Sequence, residues 1–174
     1  MDADIQAAVV ALNLAIQTEK DGYEFYLEAA RRTRDPKGKD LFSALADDEI
    51  LHEQILMARR DALEHEGTWE AAADQASATA GNLPERGIPI FSRDKIRENV
   101  NAYTYELSAL RIATLIEKDA VAFYTRAAEG TPDPQGRAMF RELADMERLH
   151  QDILENEYNA LSDQFKLQMG FAPF

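Results

Sequence analysis

Two copies of one metal-binding pattern carry the chemistry that this sequence suggests. Each copy has one Glu followed 30 residues later by a Glu-x-x-His motif, since 49 − 19 = 30 and 147 − 117 = 30. Residues i and i+3 lie on one face of a helix, so each motif presents a carboxylate and an imidazole together. Two such motifs with two further Glu residues form the ligand set of a two-metal carboxylate centre in a four-helix bundle. The six residues are Glu19, Glu49, His52, Glu117, Glu147 and His150.

Burying these side chains together would call for metal ions. Four carboxylates in a dry helix interface would each cost several kcal/mol, and their mutual repulsion raises that cost. Two divalent cations balance the four negative charges while both imidazoles stay neutral. Carboxylate and imidazole ligands suit Fe or Mn, and Zn is also compatible. A single Glu or His of this kind is more often a surface residue or a hydrogen-bonded core residue, but six at matched positions favour a dinuclear site.

The pattern belongs to an internal duplication with an offset of 98 residues. Roughly half of the positions between Ala11 and Leu56 are identical to those found 98 residues later. The match is clear between Phe42-Ser-Ala-Leu-Ala-Asp-Asp-Glu-Ile-Leu-His52 and Phe140-Arg-Glu-Leu-Ala-Asp-Met-Glu-Arg-Leu-His150. We interpret the two copies as helical hairpins. Neither can bury its apolar stripe alone, so we expect the two to face each other.

Four amphipathic stretches position the pattern. Apolar residues recur along each stretch at alternating steps of three and four, which is typical of a helix with one buried stripe, and the six candidate ligands lie on these stripes. Asp35-Pro36 and Asp133-Pro134 each place a capping carboxylate before a Pro at the first helical position, which predicts two hairpin turns. The predicted helices are 3–33, 36–66, 93–129 and 133–165.

The predicted fold is all-α, a ferritin-like four-helix bundle made of two duplicated hairpins in one domain, residues 1–174. A long crossover joins the hairpins and lets the second and third helices run parallel. Thr68 can cap a short Ala-rich helix within it. The expected segments are repeat 1 (3–66), the crossover (67–92), repeat 2 (93–165) and a C-terminal tail (166–174).

Composition and charge exclude several other functions. The 174 residues include no cysteine, so disulfides, thiolate zinc sites and iron–sulfur clusters are excluded. The formal net charge of −13 disfavours nucleic-acid and anionic-membrane partners. The acidic N-terminus does not resemble a signal peptide, and no apolar run reaches the length of a membrane span. We therefore expect a cytoplasmic protein.

Two tyrosines lie close to the candidate ligands. Tyr26 and Tyr124 follow Glu19 and Glu117 by seven residues, which is two helical turns on the same face. Because helical side chains lean toward the N-terminus, each hydroxyl can point at the metal layer. The sequence leaves open a redox role or a hydrogen bond to a ligand carboxylate. The aspartates that recur in both copies, including Asp47, fall opposite the ligand face and should lie in solvent or between subunits.

The paired Glu and Glu-x-x-His motifs resemble those of the rubrerythrin-like branch of the ferritin-like diiron superfamily, and the resemblance covers both hairpins. It implies that the six residues are iron ligands and that Tyr26 hydrogen-bonds one of them, with Tyr124 as its counterpart. Two features depart from the family. The chain lacks the Cys-rich rubredoxin domain of full-length rubrerythrins, and Ala120 stands where they carry a further Glu.

The resemblance implies a diiron-carboxylate oxidoreductase, a peroxidase or ferroxidase with two iron ions, that reduces H2O2 or O2 as Fe(II) is oxidised. Because the chain has no cysteine, a separate electron-donor protein would have to supply electrons for repeated turnover. We expect a homodimer. The competing hypothesis is a non-catalytic iron-binding or ferritin-type iron storage protein, and a structural bundle with a vestigial site is a third.

Overall fold

The computed structural model describes residues 3–70 and 100–170, and almost all of them lie in four α-helices. The helices are α1 (Ala3–Arg32), α2 (Pro36–Glu66), α3 (Val100–Gly130) and α4 (Pro134–Met169). No strand occurs within these ranges, so the predicted all-α four-helix bundle is confirmed. The predicted start of α3 at 93 and the short crossover helix lie outside the described residues. Helix α4 continues four residues beyond the predicted end at 165 and closes at Gly170, which has a left-handed φ of 81°.

Both hairpin turns have the predicted capping chemistry. The Asp35 carboxylate accepts hydrogen bonds from the backbone N–H groups of Lys37 and Gly38, at 2.9 and 3.0 Å. Asp133 caps α4 in the same way, at 2.8 and 3.1 Å. A cap of this kind stabilises a helix by about 1 kcal/mol. The caps fix where α2 and α4 begin, and therefore the height of the Glu-x-x-His motif on each helix.

The α1 and α3 helices run antiparallel to each other. Tyr26 contacts Glu117, and Glu19 contacts Tyr124. The later residue of α1 therefore pairs with the earlier residue of α3, which is the order of antiparallel helices. Beyond the end of α1, the buried Glu106 of α3 accepts hydrogen bonds from the backbone N–H groups that open the first turn, at 3.2 and 3.1 Å. Since α1 and α2 form a hairpin, α2 and α3 are parallel, as predicted.

Two apolar clusters occupy the ends of the bundle and leave a polar layer between them. One is built around Tyr26, Phe42 and Leu110 with Leu154, and the other around Leu12, Leu56 and Trp69 with Tyr124 and Phe140. In each cluster a Tyr ring stacks on the Phe that precedes a Glu-x-x-His motif, with centroids 6.3 and 6.2 Å apart. The predicted ligands lie in the layer between the clusters, which shield it from water.

Trp69 anchors the chain where it leaves α2. Its indole is 7% exposed and meets the Phe140 ring edge-on at 6.0 Å, and Arg59 donates a hydrogen bond to its carbonyl. A Cβ added to Gly136 would lie 2.6 Å from the indole, so only glycine fits beneath it. None of the described helices has an apolar stretch of the kind that crosses a bilayer.

Candidate metal centre

The structure brings the six predicted ligands together in the polar layer. Each of the four helices contributes to the group, α2 and α4 through their Glu-x-x-His motifs and α1 and α3 through single Glu residues. None of the six is more than 4% exposed. They lie on the buried stripes because the alternating spacing of three and four residues keeps one face of each helix toward the core.

The six side chains form two overlapping groups of four. Within each group, one possible ligand atom from every residue lies within 4.8 Å of the others. The first group is Glu19, Glu49, His52 and Glu147, and the second is Glu49, Glu117, Glu147 and His150. Glu49 and Glu147 belong to both. These two carboxylates could bridge a pair of ions, while each remaining Glu and His would hold one ion alone.

Both imidazoles turn the same nitrogen toward the carboxylates. His52 Nδ1 lies 2.9 Å from Glu147 Oε1 and 3.1 Å from Glu19 Oε2. His150 Nδ1 lies 3.2 Å from Glu147 Oε2 and 3.7 Å from Glu117 Oε1. The two rings stack with centroids 5.6 Å apart, and each contacts a different oxygen of Glu147.

Unsatisfied polar atoms show that these residues fit metal ions. Both carboxylate oxygens of Glu147 and the Nδ1 of His150 are fully buried without a hydrogen bond from any described residue. Glu147 lies close to both histidines as a charge contact, with Nδ1 to Oε distances of 2.9 Å for His52 and 3.2 Å for His150. Leaving such atoms unpaired costs about 1–3 kcal/mol each, or more for charged groups. Two cations among these oxygens and nitrogens would satisfy them, and the donors are those that Fe and Mn accept.

Proton affinities reflect the same crowding. Without metal ions, burial and the Glu147 charge raise the pKa of Glu49 well above its usual range. The same two causes raise the pKa of Glu117 to about 8. Burial alone would raise the pKa of Glu147 too, but the His52 charge and the close contact with His150 hold it well below its usual range. Burial would lower the pKa of both histidines, yet the surrounding carboxylates raise it. Metal ions must therefore displace protons to bind.

The two tyrosines connect the halves of the bundle crosswise. Tyr26 of α1 donates a hydrogen bond to Glu117 of α3, and Tyr124 of α3 donates one to Glu19 of α1. Both rings are fully buried. Burial and the nearby Glu charges raise the pKa of both phenols well above the ordinary value, so each keeps its proton and acts as a donor. The tyrosines orient the two Glu residues that are not shared between the groups.

Two residues next to the centre were missed by the sequence analysis. Asp48, which is 6% exposed, places Oδ2 3.2 Å from His150 Nε2, whereas its neighbour Asp47 is exposed as predicted. Gly22 leaves room for Glu49, because an added Cβ would lie 3.1 Å from the Glu49 Oε1. The available signal was the mismatch between the two halves at these positions.

Comparison with known proteins identifies one family. The family model described as Rubrerythrin matches residues 11–158, which is most of the chain and includes all six predicted ligands and both tyrosines. No curated protein and no solved structure matched the chain.

Proposed function

The chain belongs to the rubrerythrin family, and on that basis we propose that it is a diiron-carboxylate oxidoreductase that reduces H2O2 or O2. The observation that carries the proposal is the pair of overlapping groups in the buried layer, which share Glu49 and Glu147. A single-ion site would need one group only. A purely structural bundle would have no reason to bury four carboxylates and two imidazoles, since apolar side chains at those positions cost less.

Each residue of the centre has a distinct task in this proposal. Glu19 and His52 would hold one ion, Glu117 and His150 the other, and Glu49 and Glu147 would bridge them. When bound, two ferrous ions supply the two electrons that reduce the oxidant. The apolar clusters exclude bulk water, which strengthens every charge interaction within the layer.

The tyrosines set the orientation of the terminal carboxylates. Tyr26 holds its proton on the phenol oxygen and donates it in a hydrogen bond to Glu117, which leaves the other Glu117 oxygen for an ion. Tyr124 does the same for Glu19. Reduction of H2O2 to two waters consumes two protons together with the two electrons.

We favour H2O2 as the oxidant because the family match is to rubrerythrins. Repeated turnover would take electrons from a separate donor protein, since the chain contains no cysteine to hold a rubredoxin-type iron centre. We propose a homodimer as the working assembly. Ala120 is buried in the apolar cluster of Leu12 and Phe140 and stands at the position where full-length rubrerythrins carry a further Glu, and we therefore expect a fixed set of six ligands.

Anaerobic Fe(II) titration followed by rapid mixing tests the function. The protein should bind two Fe(II) per chain, and H2O2 should oxidise the loaded centre faster than O2 does. Glu49→Gln, which keeps the shape but removes a bridging charge, should lower the Fe(II) content, while Asp47→Asn on the exposed face of α2 should leave it unchanged. Binding of one ion or none would refute the dinuclear centre. A large hollow shell that accumulates ferric mineral would instead indicate iron storage.

A further inference from the structure

The two halves of the metal centre differ at one buried position. Asp48 on α2 lies immediately before the bridging Glu49, and the residue 98 positions later is Met146, since 146 − 48 = 98. Asp48 is buried and reaches across to α4, where its Oδ2 lies 3.2 Å from His150 Nε2. Met146 is half-buried and packs against the apolar cluster of Leu12 and Phe140. A carboxylate and a thioether therefore occupy matching sequence positions in two repeats whose predicted ligands are otherwise paired.

The Asp48 contact fits one form of the His150 ring as a metal ligand. A carboxylate oxygen accepts hydrogen bonds, so Asp48 Oδ2 suits a ring that carries its proton on Nε2. The neutral ring then has its lone pair on Nδ1, which is the atom that faces Glu147 and Glu117 and has no hydrogen bond. A lone pair there is what a metal ion requires.

We propose that Asp48 is a positioning residue that makes the two metal positions unequal, so that the ion held by Glu117 and His150 binds more tightly than the ion held by Glu19 and His52. This inference rests on the proposed dinuclear centre. A carboxylate that accepts the second ring N–H of a His ligand fixes the ring and increases the basicity of the ligating nitrogen. The second repeat has Met146 at the matching position, and a thioether sulfur is only a weak acceptor.

Titration of the metal-free full-length chain with Co(II) tests the inequality. The wild-type protein should bind Co(II) in two resolved steps, the tighter of which survives in His52→Ala and disappears in His150→Ala. Asp48→Asn should weaken the tighter step by about 10- to 100-fold, which is the usual effect of removing such a partner, and leave the other step unchanged. Met146→Asp should strengthen the weaker step and bring the two affinities closer together.

A spectroscopic measurement separates positioning from a general structural role. In the Zn(II)-loaded chain, the Nε2–H proton of His150 should exchange slowly with water and be visible by ¹⁵N-edited NMR. Asp48→Asn should shift that signal or abolish it, while the His52 ring signals stay in place. If Asp48→Asn does not fold, the Met146→Asp titration decides alone.

Three outcomes would overturn the inference. Two equal Co(II) steps in the wild type would show that the positions are equivalent. Equal weakening of both Co(II) steps in Asp48→Asn would show that Asp48 supports the fold and not one ligand. Unchanged Co(II) affinities in Met146→Asp would show that a carboxylate at this position does not control the affinity. Failure of the wild type to bind a second Co(II) at all would instead refute the dinuclear centre itself.

Discussion

Removing metal should leave a protein whose stability falls as pH rises through neutrality. In the folded, metal-free chain the pKa of Glu117 is raised from 4.5 to about 8 by burial and by the Glu147 charge. The unfolded chain ionises this carboxyl near 4.5, so between these values the folded state binds more protons. Stability therefore decreases with increasing pH across this window. The raised pKa values of Glu49, His52 and His150 act in the same direction.

The size of this loss of stability can be worked out from Glu117 alone. Its pKa is about 8 in the folded chain and 4.5 in the unfolded chain, and 8 − 4.5 = 3.5. At 1.36 kcal/mol for each pH unit, the free energy of unfolding falls by about 5 kcal/mol over the whole window. For a chain of this length, each kcal/mol changes the melting temperature by roughly 2–4 °C. Thermal melts of the chelator-treated protein between pH 5 and pH 9 should therefore show a decrease of roughly 10 °C or more.

Two controls make this prediction specific. Glu117→Gln cannot ionise, so its metal-free form should lose less stability with pH than the wild type. The metal-loaded wild type should show the smallest decrease, because metal binding favours deprotonated ligands and strengthens as pH rises. A melting temperature of the metal-free wild type that stays constant or rises from pH 5 to pH 8 would refute the reasoning. So would identical pH profiles for the wild type and Glu117→Gln.

Substitutions at three further positions probe the surroundings of the centre. Tyr26→Phe should keep two ions per chain by metal analysis yet change the stopped-flow oxidation rate, because its carboxylate partner loses a donor; loss of an ion would contradict this. Gly22→Ala should weaken metal binding about 10-fold in a calorimetric titration, as a Cβ 3.1 Å from the Glu49 Oε1 must displace that bridge. Glu106→Ala should lower the free energy of unfolding in urea by about 1–3 kcal/mol, since two backbone N–H groups lose their acceptor, with unchanged metal content. Glu106→Gln keeps an acceptor oxygen and should lose less, and equal losses would argue against the hydrogen bonds.

Much of the bundle and of the centre could be predicted because regular spacing determines which side chains share a face. The alternating steps of three and four placed the six candidate ligands on the buried stripes, and the Asp-Pro pairs marked both hairpin turns. The end of α4 was predicted too early, because residues 166–169 continue the helix and the stop signal is Gly170 with its left-handed backbone. A residue that can adopt positive φ closes a helix more reliably than a change in hydrophobicity does.

Asp48 shows what spacing could not reveal. Along α2, Asp47 and Asp48 are adjacent acidic residues, and only their angular positions on the helix distinguish solvent from core. Asp47 recurs as Asp145 in the second half and is exposed, while Asp48 has no acidic counterpart and is buried against His150. A duplication draws attention only to residues that match between its copies. Asp48 has no such match, and its importance comes from a contact with a helix about 100 residues away in sequence, since 150 − 48 = 102.

The crosswise tyrosine bonds mean that neither hairpin contains a complete site, and this has a consequence for how the molecule can change over evolutionary time. Two separate, identical hairpins that associated in the same way would form a symmetric dimer, and every mutation would alter both halves at once. A covalent link between them removes that constraint. Within one chain, Asp48 can contact His150 while its counterpart in the second repeat is the apolar Met146. In the same way, the counterpart of Gly22 is Ala120. Fusion thus allows the two ends of one buried polar layer to be adjusted independently.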